Sequence, residues 1–471
     1  MGIGDLADGL LRGVETLTET VTAPFSDPVV RLGVTGLSRA GKTVFITALV
    51  ANLMNRGRMQ AFRAAHDGTI RAAFLQPQPD DTLARFDYEG HLAALTGPDP
   101  RWPDGTRSIS QLRLSFRIQP SGMLGSLRGA RTLHLDIIDY PGEWLLDVAL
   151  MEKSYADWSA EVLARMPARP GGEQALAALS GADAAADFSN ATAQALAAAY
   201  TAHLTAAREA GFSDCTPGRF LMPGDLAGSP ALTFAPLPLP DKAPRGSLYR
   251  EFERRFEAYK SRIVKPFFRD HFARIDRQVV LVDVLGAIHA GPPAVEDMRR
   301  VLAEILSAFN PGRIGWLAAL FGGRRVDRIL FAATKADHLH SDQHARLTAI
   351  LSALVRDARD RADFAGARTE SLAIASLRTT TEEVIDPAGE ALGAVRGTLI
   401  DARQAAFYPG ELPSDPATLL SPARDGAAAW LDGDYAVMRF APAKITMKPG
   451  DGPPHIRLDR AAEFLLGDKF R

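Results

Sequence analysis

The sequence predicts an α/β fold: a doubly wound, mostly parallel sheet interrupted by an inserted helical domain. Three observations carry that prediction. Apolar residues 29–36 run into a glycine-rich turn, and apolar residues at helical spacing resume from 42. Short apolar runs, "QVVLVDVLG" at 278–286, "RILFAATKAD" at 328–337 and "SLAIAS" at 371–376, alternate with helical patterns. That is how buried parallel strands joined by helices read. Residues 150–275 break the alternation with alanine-rich helical periodicity, a proline-rich arm and one long amphipathic pattern.

Taken in order, residues 3–21 place Ile3, Leu6, Leu10, Val14, Leu17 and Val21 on one stripe of a leading helix. A strand at 29–36 and a helix at 42–56 follow. Residues 57–110 are mixed and turn-bearing, ending in "TGPDPRWPDGTRSIS". "QLRLSFRIQ" at 111–119 alternates as a half-buried strand, and "TLHLDIIDYPGEW" at 132–144 is a strand ending in a turn. The helices of 150–212 break at "PARPGG", and 213–246 reads as an irregular arm. Residues 247–275 set Phe252, Phe256, Tyr259, Ile263 and Phe267 on one face of a long helix that Pro266 should kink. Its other positions are basic, which reads as a solvated face or a dock for an acidic protein partner. After the strand at 278–286 comes a helix at 294–309. The strand at 328–337 precedes a helix at 341–359 with Ser341 as its N-cap. Residues 377–455 read as irregular, and a last helix spans 458–467. The resulting division is 1–149 and 276–376 for the two parts of the sheet domain, 150–275 for the insertion, and 377–471 for a closing segment packed on the sheet.

Composition excludes several classes. Apolar residues form 46% of the 471-residue chain, enough for a core. The formal charge of −2 supplies no field to attract nucleic acid. One cysteine, Cys215, rules out a disulfide within the chain and suits a reducing, cytoplasmic setting. No apolar run of 18 to 20 residues predicts a membrane span. The leading helix has an acidic polar face, poorly matched to anionic lipid. "GRIGWLAALFGGRR" at 312–325 reads as core, or as a peripheral membrane or partner contact. The histidines of "DHLHSDQH" lack the partners to complete a metal site.

The chemistry lies in three motifs. Gly36 to Thr43, "GLSRAGKT", matches G-x-x-x-x-G-K-[ST] between a strand and a helix. There the backbone around Gly36, Ser38, Arg39, Ala40 and Gly41 turns N–H groups toward phosphate oxygens at the helix N-terminus. Lys42 reaches the β- and γ-phosphates, and Thr43 binds Mg²⁺. Asp139-Tyr140-Pro141-Gly142 closes a strand. Its aspartate can hold the Mg²⁺ shell through water and Gly142 can offer N–H to the γ-phosphate. The same D-x-x-G pattern in "DVLG" at 283–286 reads as a mere strand end. Thr334-Lys335-Ala336-Asp337 closes another strand. The Asp337 carboxylate can accept from guanine N1–H and the exocyclic amine, a donor pair adenine lacks on that edge. Lys335 would lie along the base, and Ala375-Ser376 would offer N–H to the guanine oxygen. GTP or GDP with Mg²⁺ is the expected occupant. The motifs resemble, in order, those of GTPase-like P-loop NTPases.

A closer resemblance rests on longer strings. "GLSRAGKTVFITALV", "WPDGTRSIS", "LDIIDYPGEWLLD", "VVLVDVLGAIHAGP", "ILFAATKADH" and "HIRLDRAAEFLLGDKF" resemble the bacterial YcjX family over nearly the whole chain. That resemblance implies a cytosolic nucleotide-binding protein linked to stress responses. It also implies a switch-like role for "WPDGTR", with Thr106 on Mg²⁺ or the γ-phosphate and Arg107 near the phosphates. Two residues depart from the usual GTPase pattern. Thr334 stands where asparagine is commonest, keeping a hydroxyl to brace the loop. Glu143 follows Gly142 where glutamine usually orients water. Arg39, inside the phosphate loop, either points outward or folds over the triphosphate as an arginine finger in cis. The expectation is a slow GTPase switch acting on a protein partner through the insertion. A nucleotide-responsive binding protein with negligible hydrolysis is the alternative.

Overall fold

The computed structural model describes residues 27–37, 39–105, 108–119, 130–307, 326–364, 366–386, 389, 391–430 and 435–471. The leading helix at 3–21 and the segment 312–325 lie outside the described residues.

An eight-stranded sheet organises the chain. Its strands are β1 (Val29–Gly36), β2 (Ile70–Gln76), β3 (Ala84–Arg85), β4 (Ser110–Ile118), β5 (Arg131–Asp139), β6 (Arg277–Val282), β7 (Arg328–Ala333) and β8 (Arg368–Ala373). The order is β2-β4-β5-β1-β6-β7-β8, with β3 paired to β4. The five strands from β5 to β8 run parallel, while β4 is antiparallel to both β2 and β5.

Alternation along the inner strands divides the core. Val279, Leu281, Leu330 and Ala332 face α1 (Lys42–Met54), while Val280, Val282, Ile329 and Phe331 face the other way. Both sets are buried, which is why β6 and β7 read as unbroken apolar runs. The α1 face is closed by residues from the far end of the sequence. Leu458, Ala461, Ala462, Leu465 and Leu466 of the last helix, Leu458–Leu466, pack there with Phe470. Asn52 on α1 donates to the Pro453 carbonyl at 3.0 Å, across 401 residues of sequence.

Helices α2 (Tyr88–Thr96), α3 (Tyr155–Arg165), α4 (Gly172–Ser180), α5 (Asn190–Glu209) and α6 (Leu248–Tyr259) come next. The last four lie between β5 and β6. Their aromatic residues interlock: Trp158 stacks on Phe256 at 5.1 Å, and Phe234 meets both Trp158 and Tyr259 edge-on. This apolar cluster continues onto the second face of the sheet, where α7 (Val284–Ala290) and α8 (Pro292–Ser307) also pack.

Several expectations need correction. The pattern at 247–275 is one amphipathic face but several helical pieces: α6 passes through a wider π-type turn at Lys260–Val264 before a short helix at Lys265–Asp270. Its basic residues are largely paired within the same turns, as in Arg254 and Arg255 with Glu251 and Lys260 with Glu257. Ser341 caps no helix. Its hydroxyl donates to Glu382, and the helix α9 begins only at His344 (His344–Leu354). The third parallel strand sits three residues earlier than its apolar pattern suggested. Residues 377–455 hold a separate antiparallel sheet, β9 (Thr380–Ile385), β10 (Leu392–Thr398) and β11 (Gln404–Phe407), in the order β11-β10-β9. Its small core of Val395, Phe407 and Phe440 gives little apolar periodicity to read. Cys215 is buried, with burial pushing its thiol pKa up.

Candidate functional site

Strand β1 is flanked by β5 and β6, both parallel to it, so the C-terminal ends of β5, β1, β6, β7 and β8 form one edge. The strand order reverses at β1, where open α/β sheets place their ligands. Among the described residues, Gly36 to Thr43, Asp139 to Gly142, Thr334 to Asp337 and Ala375-Ser376 all close or follow strands at this edge.

The phosphate loop leaves β1 at Gly36. The Leu37 N–H donates to the Leu281 carbonyl at 3.2 Å, and the Ala40 N–H to Leu37 at 3.1 Å, which curls the loop. Arg39 and Gly41 are left-handed, at φ 63 and 77°. Helix α1 starts at Lys42, its N-terminus facing the loop, with the Thr43 side chain buried in its first turn. Lys42 forms an ion pair with Asp139, whose strand is in register with β1 so that Asp139 lies beside Val34. Gly142 then touches the start of the loop. A Cβ there would lie 1.8 Å from the Gly36 carbonyl oxygen, so only glycine allows the two turns to meet.

At the other end of the edge, Asp337 is 4% exposed. Its Oδ2 accepts from the Thr379 N–H at 2.9 Å and hydroxyl at 2.7 Å. A carboxylate has about four acceptor positions, so Thr379 orients the group without exhausting it. Thr334 is buried and its hydroxyl donates to the Val282 carbonyl at 3.4 Å, bracing the loop onto β6. Lys335 is left-handed, at φ 62°, and its ammonium pairs with Asp283. Asp283 also caps α7 by accepting from the Gly286 N–H at 3.1 Å. The second D-x-x-G pattern is therefore a helix cap that also holds Lys335. Ala375 does not present a free N–H, because that group donates to the Ile456 carbonyl at 3.1 Å. Ser376 is the next residue on the same turn. His344 Nε2 lies 2.7 Å from the Ala336 carbonyl and steadies the Thr334–Asp337 turn. Burial lowers the pKa of both His338 and His344.

Glu143 follows Gly142 and lies 3.9 Å from Arg208 of α5. Arg39 reaches the same helix end, donating to the Glu209 carbonyl at 3.2 Å. Ser38, Thr106 and Arg107 lie outside the described residues. The neighbouring Trp102 is anchored, its indole N–H donating to the Phe440 carbonyl at 2.8 Å. Sequence reasoning missed Asp283, Thr379, Ile456 and Arg208. The "TTT" after β8 was the one local hint of Thr379; the others are long-range partners with no local signal.

The donors at the phosphate end are a cation, a helix N-terminus and an oxygen-only pair, Thr43 and Asp139. These suit phosphate and a hard divalent ion that shares its shell with phosphate oxygens. Among the described residues, no three His, Cys, Asp or Glu side chains group as a metal cage. No helix among them is long and apolar enough to cross a membrane.

Fold and site together define an α/β protein of the P-loop, GTPase-like kind. The model of the YcjX-like family, DUF463, matches residues 30–470, and the chain belongs to that family. It is 38% identical to the "Ras-like GTPase YcjX" of Escherichia coli (strain K12) over 94% of this chain and 97% of that one. It is 34% identical to the protein of the same name from Shewanella oneidensis, over the full length of both.

Proposed function

We propose that the chain binds guanine nucleotide and hydrolyses GTP slowly to GDP and phosphate, as a switch. The observation that carries this reading is the single strand-end edge on which Lys42, Asp139, Gly142 and Asp337 stand. The naming of the relatives as GTPases supports it. Asp337, steadied by Thr379, accepts from guanine N1–H and the exocyclic amine. Lys335 lies along the base, and with the Ala375 N–H engaged, Ser376 offers its N–H to the guanine oxygen. Lys42 exchanges Asp139 for the β- and γ-phosphates. Thr43, Asp139 and Thr106 would hold Mg²⁺, which when bound neutralises phosphate charge. Gly142 donates its N–H to the γ-phosphate, and Arg107 lies near the phosphates. Glu143 accepts a proton from the attacking water, a task a carboxylate can perform where glutamine could only orient. Arg39 serves as a cis arginine finger on leaving Glu209. Residues 150–275 pass the nucleotide state to a protein partner. The single cysteine and the family resemblance support a stress-linked role in the cytoplasm.

The test is calorimetry with GTP, GDP, ATP and xanthosine triphosphate, followed by single-turnover hydrolysis. GTP should bind well above ATP. Asp337→Asn should weaken GTP by roughly ten- to a hundredfold and favour xanthosine triphosphate, because one paired contact to a buried charge is inverted. Equal ATP and GTP binding refutes the base assignment. Tight GTP binding without turnover leaves a nucleotide-responsive binding protein.

A further inference from the structure

Residues 143–147, just after the D-x-x-G turn, are gripped by the inserted helices. A Cβ on Gly218 would lie 2.2 Å from the Glu143 carbonyl oxygen and 3.1 Å from its Cβ, so the two backbones are in direct contact. The Trp144 indole N–H donates to the Met222 carbonyl at 3.1 Å, and the Arg219 guanidinium lies 3.1 Å from the centre of the Trp144 ring. Asp147 accepts from the Gly218 N–H at 2.8 Å and the Tyr259 hydroxyl at 2.5 Å. The main chain of Glu143 is thus held from one side.

Its side chain meets α5 on the other. Arg208 Nη1 lies 3.9 Å from Glu143 Oε1, the two side chains being 25% and 12% exposed. The next residue, Glu209, accepts from Arg39 of the phosphate loop. One helix end therefore touches both turns that bracket the phosphate position. A separation of 3.9 Å is an ion pair and not a hydrogen bond. Arg208 acts on the carboxylate through its field and leaves the oxygen lone pairs available for water. A carboxylate beside a triphosphate is repelled by it, and a cation within about 4 Å in a part-buried setting opposes that repulsion. An arginine serving only the dipole of its own helix would satisfy α5 without reaching Glu143.

We infer that Arg208 is a positioning residue: from the inserted segment, it holds the Glu143 carboxylate where it can accept the proton of the attacking water. Hydrolysis is then complete only when the α5 end keeps Arg208 against Glu143. The inference rests on the GTP-hydrolysis reading above. Arg208→Met in the full chain keeps the apolar stem and removes the charge. Single-turnover GTP hydrolysis should fall by at least about tenfold. GTP affinity should stay within about threefold and the thermal midpoint within a few degrees, with Arg208→Lys restoring part of the rate. In a Glu143→Gln background, Arg208→Met should cost nothing more, because the group it positions is gone. An unchanged rate in Arg208→Met overturns the inference. So does an equal loss in both backgrounds, which would put the arginine directly on the phosphates. Absence of hydrolysis by the unmutated protein overturns the underlying reading as well; normal hydrolysis with an indifferent Arg208→Met overturns this inference alone.

Discussion

Asp147→Asn should change how stability depends on pH. Burial among apolar neighbours raises the Asp147 pKa to about 7, against the opposing pull of the Tyr259 hydroxyl, the Gly218 N–H and the Arg219 charge. In the unfolded chain the same carboxyl titrates near the ordinary value of about 4. Between those values the folded protein holds a proton that the unfolded chain has released. Stability from this group is thus fully present below about pH 4, declines as pH rises, and is lost above about pH 7. The full difference corresponds to about 4 kcal/mol. Asparagine is neutral throughout, and its carbonyl can still accept from Gly218. Its amide cannot accept from the Tyr259 hydroxyl, a loss of about 1 kcal/mol. Urea unfolding of both proteins, followed by tryptophan fluorescence from pH 4.5 to 8, isolates the group, since the other carboxyls cancel in the difference. The variant should be about as stable as the parent at pH 4.5 and more stable, by about 3 kcal/mol, at pH 8. A difference constant across that range, within about 0.5 kcal/mol, would refute the reasoning.

Lys42→Ala should remove tight triphosphate binding while leaving the circular dichroism spectrum unchanged; unaltered GTP affinity in the folded variant would disprove the cradle. Arg39→Ala should keep GTP affinity within a few-fold and lower single-turnover hydrolysis by at least about a hundredfold, or about 2.7 kcal/mol of barrier. An unchanged rate would confine Arg39 to its bond with Glu209. Gly142→Ala must push the loop away from the Gly36 carbonyl. It should cost about 1 to 3 kcal/mol in urea unfolding and lower affinity for GTP; no loss of either would show that the two turns need not touch.

The strand-end edge was legible because its parts are local. A strand, a glycine-rich turn and a helix start write Gly36 to Thr43 within a few residues, and Asp139 and Asp337 each close a recognisable apolar run. What escaped is non-local or short. Thr379 reaches Asp337 across 42 residues, and Ile456 takes the Ala375 N–H from the far end of the chain. Strands β2 and β3 were lost in a stretch rich in turn signals. Ser341 failed as a cap because its hydroxyl found Glu382, a tertiary partner stronger than the local preference. The basic positions of 247–275 read as a solvated face or a dock for an acidic partner; Arg250, Arg254, Arg255 and Lys260 pair with glutamates one turn away, as a solvated face allows.

The closing helix has a consequence for synthesis. The apolar face of α1 is covered by Leu458 to Phe470, and Asn52 meets Pro453 only after 401 further residues. A ribosome adds roughly 5 to 20 residues per second, so that face waits on the order of 20 to 80 s for its cover. During that interval the phosphate loop exists on an incomplete sheet, since β6, β7 and β8 also come late. The nascent chain emerges with that sheet unfinished, and an exposed apolar face invites a chaperone to hold it. Cells depleted of such holdases should lose this protein early, as aggregate formed during translation and not as a product of unfolding.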